Sequence, residues 1–384
     1  MNTFLKSVLA GAVAGSVFAT GFPALRAQGD AGAAAKPPRI QMAILLDTSN
    51  SMDGLIDQAR SQLWRVVNEF ALVKKGARRP ALEVALYEYG KPTLPAEQGY
   101  VRQILAFTGD LDRVSEELFA LKTNGGEEYC GTVIRKAVDD LAWSAATGDL
   151  KTIFIAGNEP FTQGPVDYRT ACRAAAAKGI TVNTIHCARG NSSESADWRN
   201  GALLADGAFT PIDQNLRAEH IPAPQDAELE RLGAQLNQTY VPFGRLGARG
   251  ATNQQAQDAN AKTAAAGAEV QRVAAKASVH YKNASWDLVD ARRDAGFDLG
   301  QLKGEDLPEA MRAMDAVARK AYLDDKEKQR TELQARIRQL DKERAQYVQA
   351  EIRKKARSGA ETLDSAIIGN VHKQAEKKNF VFEK

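Results

Sequence analysis

The chain is poor in the residues that announce redox, zinc or nucleotide chemistry. Three cysteines in 384 residues, Cys130, Cys172 and Cys187, allow at most one disulfide, and no Cys-x-x-Cys spacing occurs. The four histidines (His186, His220, His280 and His372) are scattered, which excludes a zinc site of familiar spacing. There is no phosphate-cradling Gly-x-x-x-x-Gly-Lys-Ser/Thr loop, no Asp-x-Asp after the first strand and no His-Glu-x-x-His. Net charge is only +3, and no basic stripe is interleaved with aromatics, so nucleic acid is excluded as a partner. Past the first residues no apolar run is long enough to cross a bilayer.

What is present begins with a leader. Lys6 precedes an apolar run from Val8 to Phe22, and Gly21, Pro23, Ala24 and Ala27 then lead into Gln28-Gly29-Asp30. That order of charge, apolar run and small residues predicts an export signal over 1–27, cleaved near Ala27, with a flexible leader over 28–38. The alternative is an uncleaved anchor, although the run is short for a span. The expected location is exported: periplasmic, cell-surface or secreted.

From residue 39 apolar strands alternate with amphipathic helices. Ile40 to Leu46 and Thr152 to Ala156 are continuous apolar runs, as in strands buried on both faces. Leu55 to Val73 repeats apolar residues at helical spacing. Strands at 82–89, 100–107, 180–185 and 209–212, with helices between, predict an α/β fold with a doubly wound, mostly parallel six-stranded sheet over 39–244. In such sheets ligands sit at the carboxyl ends of the strands. Residues 245–267 are rich in Gly, Ala, Gln and Asn and predict a linker; 268–384 predicts a helical, partly coiled-coil region. Within it Leu333, Ile337, Leu340 and Tyr347 form a short seam that Arg344 interrupts. A homodimer through this seam and a helix packed on its own chain are both compatible with the pattern.

The informative motif is Asp47-Thr48-Ser49-Asn50-Ser51, directly after the first apolar strand and before a helix. One carboxylate and two hydroxyls at alternate positions of a tight loop can aim at one point, and hard divalent cations take oxygen ligands. The simpler alternative is that Asp47, Ser49 and Ser51 only cap the following helix. In its setting the motif resembles the von Willebrand factor type A family, whose metal-ion-dependent adhesion site starts with Asp-x-Ser-x-Ser here. The resemblance extends by element order over about Ile40 to Phe243.

The resemblance implies a divalent cation, Mg²⁺ or else Mn²⁺ or Ca²⁺, held by Asp47, Ser49 and Ser51. In the second loop, Thr123 to Glu128, the family's Thr or Asp position is best matched by Glu128. The third loop departs from the family's Thr-Asp-Gly: here it reads Gly157-Asn158-Glu159-Pro160, so Asn158 acts as a neutral ligand through water or Glu159 replaces the carboxylate. The family's mode further implies a protein partner that offers an acidic side chain to the metal.

For the cysteines, a Cys172–Cys187 disulfide is the expected pairing, with Cys130 as the competing partner of Cys187. Trp198 lines either a partner surface or the core. The function expected is cation-dependent adhesion or assembly on a helical stalk, without catalysis. The alternatives are a scaffold with a degenerate metal site that works through its tail and, with less support, a metal-dependent hydrolase.

Overall fold

A computed structural model describes residues 37–187, 194–216, 220–355 and 363–382. The predicted signal segment 1–27 and nearly all of the predicted flexible leader lie outside these residues. The first strand, β1 (Arg39–Asp47), is the centre of the molecule. Its β-branched and long aliphatic side chains cannot all face one way, because successive residues of a strand point to opposite faces. Ile40, Met42, Ile44 and Leu46 enter one hydrophobic cluster, and Ala43 and Leu45 enter another on the far side of the sheet.

The remaining strands are β2 (Val73–Lys74), β3 (Ala81–Tyr89), β4 (Val101–Thr108), β5 (Leu150–Gly157), β6 (Thr181–His186), β7 (Phe209–Pro211) and β8 (Val381–Phe382). Six of them form the main sheet in the order β4-β3-β1-β5-β6-β7. All its pairings are parallel except β3 with β4, at one edge. The chain thus winds outward from β1 in both directions, the doubly wound architecture expected from the alternation. β2 and β8 make a small separate antiparallel pair.

Helices α1 (Asp53–Ala71), α2 (Leu111–Ala120), α3 (Cys130–Asp140), α4 (Tyr168–Ala177), α5 (Ser195–Leu204) and α6 (Asp226–Asn237) belong to the sheet region. The C-terminal part adds α7 (Gly247–Ala264), α8 (Ala268–Lys276), α9 (Leu288–Ala291), α10 (Glu309–Arg312), α11 (Ala316–Lys355) and α12 (Leu363–Lys377). Helices α3, α4 and α5 cover one face, and α1, α2 and α12 cover the other. Among the described residues no helix is long and apolar enough to cross a membrane.

Two expectations about the tail change. The segment expected to be a linker is the helix α7, whose Gln254, Gln257 and Ala261 are buried. Ala-rich sequence favours helix, and its amides and small side chains find partners: Gln257 Oε1 accepts from Ser115 Oγ at 2.8 Å. The expected stalk also folds back. Helix α1 packs against α8 and α12, and α12 is fastened to the sheet by Gln374, which donates to Asn183 Oδ1 at 2.6 Å. Pro37 to Lys384 is accordingly one compact unit.

The long helix α11 lies on α6, α8 and α9 of its own chain. Its buried positions are Leu323, Arg330, Ile337, Leu340 and Arg344. Arg344 does not interrupt the seam; it is a member of it, donating through Nε to Asp226 Oδ1 at 2.6 Å. Tyr347, by contrast, is exposed.

Candidate functional site

The carboxyl ends of β1, β3 and β5 meet where the sheet order diverges. There β1 ends in Asp47, fully buried, and Ser49 follows in extended backbone before a single 3₁₀ turn, Asn50–Met52, leads into α1. The Ser49 backbone N–H donates to Asp47 Oδ1 at 2.8 Å, which folds the loop over its own carboxylate. The other oxygen, Oδ2, is buried and has no hydrogen-bond partner. A buried carboxylate oxygen without a donor is costly, and Oδ2 is an acceptor open to a cation or a water.

Helix capping does not account for the hydroxyls. Neither Ser49, before the 3₁₀ turn, nor Met52, before α1, makes a side-chain capping bond. Instead Ser49 Oγ and Ser51 Oγ lie 3.5 Å apart. Thr48, between Asp47 and Ser49, turns the other way: its hydroxyl donates to Tyr89 O at 3.1 Å and its carbonyl accepts from the Asn124 N–H at 2.9 Å. Thr48 therefore ties the motif loop to β3 through its side chain and to the loop before α3 through its carbonyl.

That second loop brings Glu128 to the site. A Cβ built on Gly90 would lie 2.7 Å from Asp47 Oδ1 and 3.0 Å from Glu128 Cγ, so the two carboxylate-bearing chains converge on one glycine. The third loop brings Asn158, whose Nδ2 donates to Ser51 Oγ at 3.0 Å while its Oδ1 is buried and unpartnered. All five residues expected as ligands (Asp47, Ser49, Ser51, Glu128 and Asn158) thus gather at one end of the sheet. Glu159 is close enough to bear electrostatically on both Asp47 and Glu128.

Burial pushes the Asp47 carboxyl up to about 7, with Glu159 adding to the rise against the Ser49 hydrogen bonds. The Glu128 carboxyl is raised to about 8 by burial first, then by the negative charges of Asp47 and Glu159. Without a cation these carboxylates repel one another in a dry place. A divalent ion reverses that balance. Among the described residues no three His, Cys, Asp or Glu side chains alone form a metal-holding group. A cation here would have to draw on Ser49, Ser51 and Asn158 oxygens as well as carboxylates, an all-oxygen set that suits Mg²⁺, Mn²⁺ or Ca²⁺ better than a soft metal. The residues present fit such an ion: two unpartnered acceptor oxygens, two hydroxyls and a glycine-walled space.

Several residues shape the site in roles that the sequence reading did not assign to them. Gly157 ends β5, and a Cβ there would stand 2.6 Å from Tyr89 Oη and 3.0 Å from Asp47 Oδ2. Gly90 has φ of +89°. A glycine directly at the carboxyl end of a buried strand was the available signal for both. Buried His186, at the end of β6, lies 3.3 Å from Asn158 O and 3.1 Å from Ser195 Oγ. Trp198 is fully buried, stacks on His186 at 5.2 Å and donates to Glu159 O at 2.9 Å, so it supports the third loop from inside the core.

The expected Cys172–Cys187 disulfide is absent: all three cysteines are buried free thiols. Cys172 packs in the cluster under α3 and α4, whereas Cys187 packs in the cluster on the other face of the sheet. Adjacent elements placed the two near each other in sequence logic, but the sheet stands between them. Cys130 instead approaches Tyr89 Oη at 3.8 Å.

No family model matches the chain. No curated protein matches it either. Solved structures do. The chain is similar to the conserved hypothetical protein BatB from Bacteroides thetaiotaomicron, at 16% identity over 45% of this chain and 90% of that one, with a TM-score of 0.34. It is similar to the SpRpn10 VWA domain at 14% identity over 49% of this chain and 90% of that one, with a TM-score of 0.34. A third is proximal thread matrix protein 1 from the mussel byssus, solved with a zinc-occupied MIDAS motif, at 12% identity over 46% of this chain and 42% of that one, TM-score 0.35.

Proposed function

We propose that this chain is a divalent-cation-dependent protein-binding module of the type A kind, exported and non-catalytic, with Asp47, Ser49, Ser51, Glu128 and Asn158 holding the ion. The observation that carries the reading is the buried, unpartnered Asp47 Oδ2 beside two hydroxyls, a second carboxylate and a second unpartnered acceptor. When bound, the ion supplies a fixed positive centre at the end of the sheet for a partner to reach. The chain's own part is to hold that centre. Asp47 lies at the bottom, Ser51 is exposed at the mouth, and Asn158 is oriented by its bond to Ser51.

Against a hydrolase, among the described residues no histidine is hydrogen-bonded to Ser49 or Ser51, so neither hydroxyl has a base to activate it. A scaffold with a degenerate site draws support from the neutral Asn158 where the resemblance implies a carboxylate. The test is thermal unfolding of the full chain with chelator, Mg²⁺ or Mn²⁺, beside Asp47→Ala. An ion present at 100 times its dissociation constant adds about 2.7 kcal/mol. A metal-dependent rise lost in Asp47→Ala upholds the reading, and no shift at millimolar metal in either protein would sink it in favour of the scaffold.

A further inference from the structure

Resting on the cation-dependent reading, we infer that Lys91, held by buried Glu88, is a positioning residue for the ion. It fastens the start of the second loop to the end of β3, so that Glu128 meets Asp47 across Gly90. Lys91 follows Gly90 directly. Its Nζ lies 2.6 Å from Glu88 Oε2 and donates to the Lys122 carbonyl at 3.2 Å. Glu88 is fully buried, and Lys91 is only 9% exposed. Tyr87 and Tyr89 enter the cluster under α3 and α4, so Glu88, between them on the strand, faces the other side of the sheet. There its Oε2 also lies 3.3 Å from the Thr48 hydroxyl, and Arg102 of β4 pairs with Oε1 at 2.5 Å. One carboxylate thus touches the motif loop directly and the second loop through Lys91.

The second loop is bonded at three successive residues. Lys91 holds the Lys122 carbonyl, Asp53 accepts from the Thr123 hydroxyl, and the Thr48 carbonyl accepts from the Asn124 N–H. Of these three bonds, the one from Lys91 ties the loop to the Gly90 segment. Gly126 then lies against the same segment: a Cβ there would stand 2.6 Å from Gly90 O and 2.8 Å from the Lys91 carbonyl carbon. Glu128 comes two residues later, so its approach to Asp47 depends on where this segment holds the loop. Filling the space does not require charge, because apolar side chains of similar volume replace many buried ion pairs without loss of stability. An ammonium adds directed donors, which can serve Glu88 and the Lys122 carbonyl together. The sign of the effect separates anchoring from charge. As a positive charge alone, Lys91 opposes a cation, and its removal would tighten binding. As an anchor, its removal weakens binding. Arg102 and the exposed side chain of Lys122 stay in place in either case.

The test compares the full chain with Lys91→Met and with Glu88→Gln/Lys91→Met, in which Glu88 is not left as an unpaired buried charge. Mn²⁺ is titrated with electron paramagnetic resonance as the readout. Urea unfolding and amide hydrogen exchange over residues 122–128 are both followed in chelator. Lys91→Met is expected to weaken Mn²⁺ binding about tenfold or more and to speed exchange over 122–128. The double variant is expected to regain the urea midpoint but neither the affinity nor the slow exchange. A double variant whose Mn²⁺ affinity equals or exceeds that of the wild type, or whose exchange over 122–128 is unchanged, overturns the inference and leaves the cation reading standing. A wild-type chain that binds no Mn²⁺ removes the cation reading, and the inference with it.

Discussion

Gly90 lets Asp47 and Glu128 converge by nothing more than the absence of a Cβ: a methyl there would sit 2.7 Å from Asp47 Oδ1 and 3.0 Å from Glu128 Cγ. The same glycine has φ of +89°, a conformation that L side chains rarely adopt. Gly157 closes the opposite wall, where a methyl would meet Tyr89 Oη and Asp47 Oδ2. The two substitutions separate space from strain. Gly157→Ala is expected to abolish the metal-dependent rise in melting temperature by crowding Oδ2. Gly90→Ala should do the same and also lose about 1–3 kcal/mol of stability in chelator from backbone strain. A Gly157→Ala protein that keeps a full Mg²⁺ response in a melt would show that the ion does not approach Oδ2.

The raised carboxyls set a pH dependence. Asp47 and Glu128 hold their protons near 7 and 8 in the fold, against about 3.9 and 4.3 in an unfolded chain. Protonation therefore favours the folded state. The contribution is fully present below about pH 4 and is lost as pH rises through the folded values. In chelator, Asp47→Asn is expected to be more stable than wild type at pH 8, with the difference shrinking toward pH 5. His186 and His280, both held below the usual histidine value by burial, act in the opposite direction at acid pH. The quantity to measure is thus the wild-type-minus-variant difference in urea unfolding between pH 5 and 8. A difference that stays constant over that range would contradict the buried, proton-binding pair.

Much of this architecture was legible before any coordinates. Ile40 to Leu46 could only be a strand buried on both sides, and the position of Asp47 behind it followed from the chain order. The loops were harder, because Glu128 and Asn158 reach Asp47 through backbone paths that periodicity does not encode. Their convergence depends on Gly90, Gly157 and the Thr48 bonds to β3 and Asn124. The tail was misread for a different reason. The Gly, Ala, Gln and Asn content of α7 read as a linker and Arg344 of α11 as a break in the seam, but both helices bury polar side chains with dedicated partners. Arg272, on α8, donates to Asp112 Oδ1 at 2.6 Å and lies 4.4 Å over the Trp64 ring. Composition records that such residues are charged; it does not record that their counter-charges wait on other helices.

A consequence is that the sheet region does not end at Gly244 in any energetic sense. Ending the chain there removes α8 and α12 from α1 and strips Arg272 from buried Asp112. It also leaves Thr152 and Asn183, both fully buried, without Gln374. A fragment of 37–244 is expected to lose cooperative urea unfolding and near-ultraviolet circular dichroism. Cooperative melting of that fragment at full metal response would restore the picture of an independent domain on a detachable stalk.

The seam of α11 makes the last prediction. Arg330 is nearly fully buried, and its Nη1 donates to Asp287 Oδ2 at 2.6 Å and to Asp290 Oδ1 at 3.1 Å. Its guanidinium carbon lies 4.1 Å from the Tyr240 ring centre. Removing one partner of a buried pair leaves the other charge uncompensated, at a cost of about 3–5 kcal/mol. Arg330→Ala should therefore destabilise the chain by that amount in urea unfolding, and Arg330→Met with Asp287→Asn should recover a good part of it. Ile337, fully buried on the same helix, distinguishes a packed seam from a dimer interface. If α11 packs on its own chain, Ile337→Asp lowers the melting temperature equally at micromolar and at hundred-micromolar protein. If two copies share the seam, the wild-type melting temperature rises with concentration and the variant removes that rise. Because Ile337 and Leu340 already lie in the core that includes α6 and α8, concentration independence is the expected result, measured by melts at both concentrations alongside sedimentation.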